Sequence, residues 1–409
     1  MSVATGLLMR LGARNLLRHR RRNGLLLAAI AVGIASTVLA NALIRGYQYD
    51  MRDDALDNLN GHLKVLAPGY LDDPSAARAF ALPANSATLL PKGAVIATAS
   101  RVRVPAVVQS ERETRGVELV GVDPLDEQRL SFLGSINIEG VELEGTDDGR
   151  LLIGRALAER LDTRLGRRVV VMALGADGRN RELGFRIVGV FDAPGRQQEL
   201  AYAITGREAL ARYLGVAGIT ELSFRLADDA ALDPARRSLG IALPTLEVHD
   251  WKGLDPLAAG MFELADASLL IWLSIVLIAL GFGLVNALAT AVLERAREFG
   301  LLRALGMRPR HVVVQVLIES LLVTLAGVVL GTAGGWLSVV LLADGIDLGA
   351  WARGAEFFGM RQILVPRLLM TDLWLVLVAA FIFAFVGSVY PAWRAVAMAP
   401  LVALQGIRT

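Results

Sequence analysis

The chain has 409 residues, of which 54% are hydrophobic and 20% charged, and its formal net charge is +2. A mean hydropathy of +0.49 excludes an ordinary soluble protein, whereas the charged fraction requires a polar domain beside the apolar segments. Because the sequence contains no cysteine, disulfides, thiolate metal sites and a lipid-modified N-terminal cysteine are also excluded. The four histidines lie far apart in sequence, without the spacing of a zinc site.

Residues 1–23 are predicted to form an amphipathic elbow helix on the cytoplasmic membrane surface. Leucines lie on one helical face, whereas Arg10, Arg14 and Arg18 repeat every four residues on another. In the alternative interpretation, these arginines only set the topology of the chain. Because the basic charge is local, no nucleic-acid partner is expected.

Four apolar segments are each long enough to cross a bilayer, which requires ~20 mostly apolar residues per helix. Arginines precede the first segment and follow the second, and aspartates follow the first. By the positive-inside rule, the N-terminus, the connection 294–310 and the tail 393–409 are therefore cytoplasmic. The transmembrane segments TM1 to TM4 are predicted at 24–46, 266–293, 311–343 and 371–392, with an outer loop at 344–370.

Residues 47–265, between TM1 and TM2, are long enough for a folded aqueous domain. Alternation of apolar residues predicts strands, most clearly at 220–226, and a helix from 255 is predicted to run without a break into TM2. Further helical patches are predicted at 74–81, 155–161, 207–214 and 234–239. The predicted fold class is an α-helical membrane protein with four transmembrane helices and a large α+β periplasmic domain between TM1 and TM2.

Motifs for catalysis are missing from the sequence. The only lysines are Lys64, Lys92 and Lys252, and none follows the glycine that a Gly-Lys-Ser/Thr phosphate-binding loop requires. Nucleophile-elbow and H-E-x-x-H motifs are also absent, and acidic pairs such as Glu142/Glu144 are interpreted as solvated turns. The chain is therefore predicted not to be an enzyme and to hold no cofactor or metal, so that any ATP acts through another chain.

The segment between TM2 and TM3 is charged and helix-prone, and its first residues, 294–306, are E-R-A-R-E-F-G-L-L-R-A-L-G. Phe299, Leu302 and Leu305 recur at spacings of three, and Gly306 suits a helix C-terminus. A short exposed helix with such an apolar set indicates a surface that a protein or lipid covers. The alternative is a solvated turn that only follows the charge topology.

TM3 carries a stripe of small residues, Gly327, Gly331 and Gly335, at i, i+4 and i+8. This spacing predicts close packing against another helix. Glu319 on the same segment is either a functional group or a partner in a structural hydrogen bond or salt bridge.

Three motifs together resemble one family. They are the segment 294–312, the C-terminal Y-P-A-W-R-A-V-A-M-A-P-L-V-A-L at 390–404, and the N-terminal R-N-L-L-R-H-R-R-R at 14–22. With one span, a large outer domain and three further spans, the whole chain resembles the FtsX-like ABC permeases of the MacB and lipoprotein-releasing (Lol) group.

The resemblance implies a mechanotransmission ABC transporter of the bacterial inner membrane. In such a transporter, two permease copies, identical or paralogous, bind a dimer of a separate soluble ATPase. The ATPase holds ATP and magnesium, and its dimerisation moves the coupling helix, here 294–310. The residues assigned to ATPase contact are Glu294, Arg295, Arg297, Glu298, Phe299, Leu302, Arg303, Leu305 and Gly306.

The outer domain looks most like that of the Lol permeases, through blocks at 61–69, 121–124, 152–158 and 188–195. This likeness implies porter-like parts with a sabre-like insertion at about 126–219. It also implies a hook for a periplasmic lipoprotein carrier, which we place at Asp192, Ala193, Pro194, Gly195 and Arg196.

The predicted function is extraction or transfer of a lipoprotein or other amphiphile from the inner membrane. An apolar cargo path is predicted at Leu39, Leu43, Leu277 and Leu284. One alternative is an exporter of peptides or small amphiphiles that works with an adaptor and an outer-membrane channel. Another is a transmembrane signalling regulator of a periplasmic enzyme.

Overall fold

The computed structural model describes residues 20–83, 89–91, 93–294, 301, 308–347 and 363–397. The α-helices are α1 Arg20–Asp57, α2 Pro124–Glu127, α3 Arg155–Arg160, α4 Arg196–Ala201, α5 Arg207–Leu214, α6 Leu232–Ala242, α7 Trp251–Leu254, α8 Pro256–Glu294, α9 Pro309–Leu341 and α10 Met370–Ala397. The strands are β1 Leu63–Leu66, β2 Val95–Gln109, β3 Thr114–Val122, β4 Asn137–Gly140, β5 Leu151–Gly154, β6 Arg168–Leu174, β7 Asn180–Asp192, β8 Tyr202–Gly206, β9 Glu221–Leu226, β10 Glu247–Asp250, β11 Ile346–Asp347 and β12 Ile363–Leu364.

The chain divides into two compact units. Among the described residues, the helix unit comprises those within 20–49, 263–347 and 363–397, and the sheet unit comprises those within 50–262. The helix unit consists mainly of long apolar helices, and the sheet unit contains both helices and strands, as their residue types predict.

Three described helices are long and apolar enough to cross a membrane, over Gly24–Asp57, Pro256–Gly283 and Arg310–Leu341. A shorter apolar stretch, Met370–Phe383, begins α10. Helix α8 confirms the prediction of an unbroken helix from 255 into the second apolar segment.

The helix unit has its own apolar core. Its buried residues come from α1, α8, α9 and α10, which therefore pack together as one bundle; they are Ile30, Ile34, Val38, Leu273, Leu277, Val323, Val328, Val376 and Ala380. Many other apolar side chains on these helices are exposed, for example Ile271, Phe282 and Val386. Such outward apolar surface fits a lipid environment rather than water.

The sheet unit is built on a ten-stranded mixed sheet with the order β10-β1-β9-β2-β3-β8-β5-β7-β4, and β6 pairs with both β2 and β7. Strand β2 connects its two halves, because Val95–Arg101 pairs with β9 whereas Val102–Gln109 pairs with β3. The predicted strand at 220–226 is confirmed as β9; β9 and β10 flank β1, and α6 lies between β9 and β10 along the chain.

Most of the predicted helices in the sheet unit are confirmed, at α3, α5 and α6. The helix predicted at 74–81 was wrong, since only Ala76–Arg78 forms a short 3-10 turn there. The reason is local: Phe80 leaves the turn to pair as an isolated bridge with Ile219, and its N–H donates to the Ile219 carbonyl.

Candidate functional site

The predicted coupling segment begins where α8 ends. Glu294 is the last residue of α8 and is exposed, and α9 begins at Pro309, a residue suited to the first helical position. The remaining assigned residues lie outside the part of the chain that the structure describes, and their role in ATPase contact stays a prediction; they are Arg295, Arg297, Glu298, Phe299, Leu302, Arg303, Leu305 and Gly306.

The glycine stripe of α9 faces α1. A Cβ atom added at Gly327 would lie 2.7 Å from Ile30 Cγ2, and one at Gly335 would lie 2.7 Å from Val38 Cβ. At Gly331 the added atom would lie 2.6 Å from the carbonyl oxygen of Ala31. These separations are shorter than any carbon contact allows, so glycine is what lets the two helix backbones approach.

The residues predicted for a cargo path lie in different settings. Leu39 and Leu43 on α1 are half-buried, whereas Leu277 on α8 is buried in the bundle core. The side chain of Leu284 lies outside the described part of the chain. A small apolar crevice opens beside Leu277, lined among others by Ile34, Leu280, Thr324 and Phe383.

One charged cluster joins three helices of the helix unit, and its pairing was not predicted from the sequence. Arg45 on α1 donates from Nε to Asp372 Oδ2 at 2.7 Å and from Nη2 to Asp372 Oδ1 at 3.0 Å. Its Nη1 donates to Asp266 Oδ1 on α8 at 2.7 Å and to Gln48 Oε1 at 2.8 Å. Gln48 closes the cluster by donating from Nε2 to the same Asp266 oxygen at 3.1 Å. The signal in the sequence was the charge at the end of each apolar segment.

A second charged cluster is buried inside the sheet unit. Arg101 on β2 forms a two-pronged pair with Glu127, with Nε–Oε1 at 2.5 Å and Nη2–Oε2 at 2.9 Å, and it donates to Glu221 Oε1 on β9 at 2.9 Å. Lys64 on β1 donates to the other Glu221 oxygen at 3.1 Å. All four side chains are fully buried or nearly so. We call this set the buried charge cluster.

Electrostatics hold this cluster in its charged form. Burial alone would raise the pKa of Glu221, but Lys64, Arg101 and Arg103 lower it to about 2. Burial lowers the pKa of Lys64 to about 8, against the opposing effect of Glu221. Burial would also lower the pKa of Arg101, yet Glu127 and Glu221 raise it above its ordinary value.

The buried charge cluster fastens the turn that follows α1. Arg101 Nη1 donates to the Leu59 carbonyl at 2.5 Å, and Lys64 donates to Asn60 Oδ1 at 3.1 Å. Leu59 itself has φ +61, a left-handed conformation that is unfavourable for a leucine. The surrounding contacts therefore hold this turn in place, and β1 follows directly.

The predicted hook residues form a tight turn between β7 and α4. Asp192 pairs with Arg155, Oδ1–Nε at 2.5 Å, and this hydrogen bond holds the pKa of Asp192 below its ordinary value. Glu199 accepts hydrogen bonds from the backbone N–H groups of Ala193 at 3.1 Å and Ala156 at 3.0 Å. Three residues connect the end of β7 at Asp192 to the start of α4 at Arg196, and carrier binding there stays a prediction.

Two family descriptions match the chain. The MacB-like periplasmic core domain matches residues 24–240, more than half of the chain, and the FtsX-like permease C-terminal region matches residues 270–400.

Two curated relatives match over nearly their full length. The lipoprotein-releasing system transmembrane protein LolC of Xylella fastidiosa is 24% identical, over 99% of this chain and 98% of that protein. LolC of Neisseria meningitidis is 26% identical, over 95% of this chain and 97% of that protein. The macrolide export ATP-binding/permease protein MacB of Escherichia coli is 24% identical over 86% of this chain, which spans only 56% of that longer protein.

These matches cover both the sheet unit, with its α+β fold, and the apolar helices of the helix unit. The chain therefore belongs to the FtsX-like, MacB-type family of ABC transporter permeases, close to the lipoprotein-releasing Lol permeases.

Proposed function

We propose that this permease crosses the bacterial inner membrane four times, with both termini in the cytoplasm, and that it moves a lipoprotein or another amphiphile out of that membrane. The observation that carries the proposal is the similarity to LolC over essentially both whole chains. The residues 47–265 would then form the periplasmic domain between TM1 and TM2, including the sabre-like insertion.

Energy for this work would come from a separate soluble ATPase dimer bound to two permease copies. The sequence lacks the lysine of a phosphate-binding loop, so ATP and magnesium belong to that partner. Helix α8 runs unbroken to Glu294, which supports a direct path for force from the segment 294–310 into the membrane helices.

The coupling assignment is tested by Phe299→Ala in the complex with the ATPase. Loss of a buried aromatic anchor at an interface costs about 2 kcal/mol or more, so we expect ATPase binding to weaken about thirtyfold or more. Phe282→Ala is the matched control, because Phe282 is an exposed phenylalanine of α8, the helix that precedes the segment 294–310. Equal ATPase binding by both variants would contradict the coupling role.

The cargo is tested by depleting the permease in the bacterium that carries it. We expect lipoproteins destined for the outer membrane to accumulate in the inner-membrane fraction. If lipoproteins fractionate normally while efflux of a peptide or small amphiphile falls, the exporter alternative with an adaptor and channel replaces the proposal. If only the activity of a periplasmic enzyme changes, the signalling alternative replaces the proposal.

A further inference from the structure

Arg45 makes two unequal connections in the helix unit. Its pair with Asp372 on α10 is two-pronged and shielded, because the Asp372 side chain is 10% exposed. Its bond to Asp266 on α8 uses Nη1 alone, Gln48 donates to the same Asp266 oxygen at 3.1 Å, and the Asp266 side chain is 49% exposed. Shielded two-pronged pairs hold more strongly than single half-exposed ones, so the α8 connection breaks first.

Backbone contacts reinforce the stronger side. A Cβ atom at Gly46 on α1 would lie 2.1 Å from the carbonyl oxygen of Val365, and the Arg367 N–H donates to the Ala42 carbonyl at 2.8 Å. Helix α9 adds the close approach at Gly331 to α1. Helix α1 is therefore joined through backbone atoms to α9 and to the segment that leads into α10, and these contacts leave little room for sliding. Helix α10 itself is held by Asp372 and by Val376 and Ala380 in the shared core.

Helix α8 packs on α1 by different means. At Gly33, an added Cβ would meet the flexible end of the Leu280 side chain at 3.0 Å, and Leu273 and Leu277 enter the same core. In the most apolar stretch of α8, 22% of the residues are buried, against 50% in that of α9. Leucine side chains can change rotamer, so this contact can be remade without moving a backbone.

We propose that Arg45 is a positioning residue that keeps α1, α9 and α10 as one block and latches α8 to it, and that transport parts α8 from this block at the Arg45–Asp266 bond. The inference rests on the proposed function in one respect, namely that force enters through the segment next to Glu294, at the end of α8.

Charge balance makes such a latch reversible. The closed cluster holds one positive and two negative side chains. When α8 leaves, Arg45 keeps Asp372 and stays neutralised, while the half-exposed Asp266 is hydrated. No charge is left unpaired away from water, so opening carries no large desolvation penalty.

The test uses spin labels, which the cysteine-free chain accepts at chosen sites. In the complex with its ATPase in nanodiscs, diluted so that one permease copy is labelled, one label pair joins Val32→Cys on α1 to Ile271→Cys on α8. A second pair joins Val32→Cys to Val378→Cys on α10. All three sites are exposed, so the labels disturb no packing.

We expect Asp266→Asn to lengthen and broaden the α1–α8 distance, to leave the α1–α10 distance unchanged, and to shift the open population about two- to fivefold. ATP with vanadate should lengthen the same α1–α8 distance in the unmodified chain. Asp372→Asn should instead broaden the α1–α10 distance. Glu263→Gln, an exposed acid one turn from Asp266, is the matched control and should change neither distance.

An unchanged α1–α8 distance in both Asp266→Asn and the vanadate-trapped complex would overturn the latch. Equal movement of α10 would overturn the block. These distances are measured without cargo, so they test the latch whether or not the cargo is a lipoprotein. The cargo assay fails if the proposed function is wrong, and the distance measurements fail if the latch is wrong.

Discussion

The two units of this permease use charge and close packing in opposite ways. The sheet unit buries Arg101, Glu127, Glu221 and Lys64 together in its interior, where each charge has hydrogen-bonded partners. The helix unit has an apolar core, and glycines on α9 let the backbones of α1 and α9 come close together. It also holds the cluster around Arg45, in which Asp266 is half-exposed.

This difference indicates where each unit can change shape. Separating buried charges leaves them uncompensated, so the sheet unit resists internal rearrangement. A half-exposed ion pair and leucine contacts can be broken and remade at a small cost in free energy. Helix α8, which makes these contacts, can therefore move against the rest of the helix unit. The sheet unit is therefore suited to transmit a displacement unchanged, and the helix unit to produce one.

The strongest challenge to this comparison is Arg101→Met. The substitution leaves Glu127 and Glu221 buried without their guanidinium partner, so we expect the sheet unit to lose about 3–5 kcal/mol of stability. Hydrogen exchange of the β2 and β9 amides, read by mass spectrometry, measures the loss in that unit alone.

Arg112→Met is the control for that substitution. The Arg112 side chain is 70% exposed and pairs with Asp162 at the surface, so its loss should cost less than about 1 kcal/mol. If the two variants lose protection equally, the buried charge cluster does not stiffen the sheet unit.

The next prediction concerns acid. Because the folded-state pKa of Glu221 is about 2 and its ordinary value is 4.5, Glu221 contributes stability that is present above pH 4.5 and lost as the pH falls toward 2. The loss amounts to about 3 kcal/mol. Lys64, with a pKa of about 8, is protonated in both the folded and the unfolded chain throughout this window and adds nothing to the slope.

Chemical unfolding of the sheet unit between pH 5 and pH 3, followed by the same amide exchange, measures this slope. Glu221→Gln should be less stable at neutral pH, because Lys64 and Arg101 lose their counter-charge, but it should lose less stability on acidification. A Glu221→Gln slope as steep as that of the unmodified chain would show that other carboxylates dominate acid unfolding.

Local patterns predicted much of the fold. The alternation at 220–226 marks β9, and the long apolar stretches mark α8 and α9, because these signals arise from neighbouring residues. The helix at 74–81 failed for a reason that is not local, since Phe80 pairs with Ile219 from a distant part of the chain.

The charged clusters could not be predicted for the same reason. Arg45 meets Asp266 and Asp372 only after three apolar helices pack together, and Arg101 meets Glu221 only when β2 and β9 pair. The resemblance to the family came from motifs at 14–22, 294–312 and 390–404, each of which lies only partly within the described residues. Sequence thus indicated the family, while packing revealed the two clusters.

The smallest expected effect tests the glycine contact of the helix unit. In Gly331→Ala the new Cβ would lie 2.6 Å from the Ala31 carbonyl oxygen, so α1 and α9 must separate, at a cost of about 1–3 kcal/mol. Gly334→Ala is the matched control on the same helix, because its Cβ would meet Ala35 at an ordinary 3.7 Å. We expect a lower thermal inactivation midpoint for Gly331→Ala alone, with unchanged amide protection of β2. Equal midpoints would mean that α1 and α9 are not held by their backbones, and loss of β2 protection would mean that the two units do not respond separately.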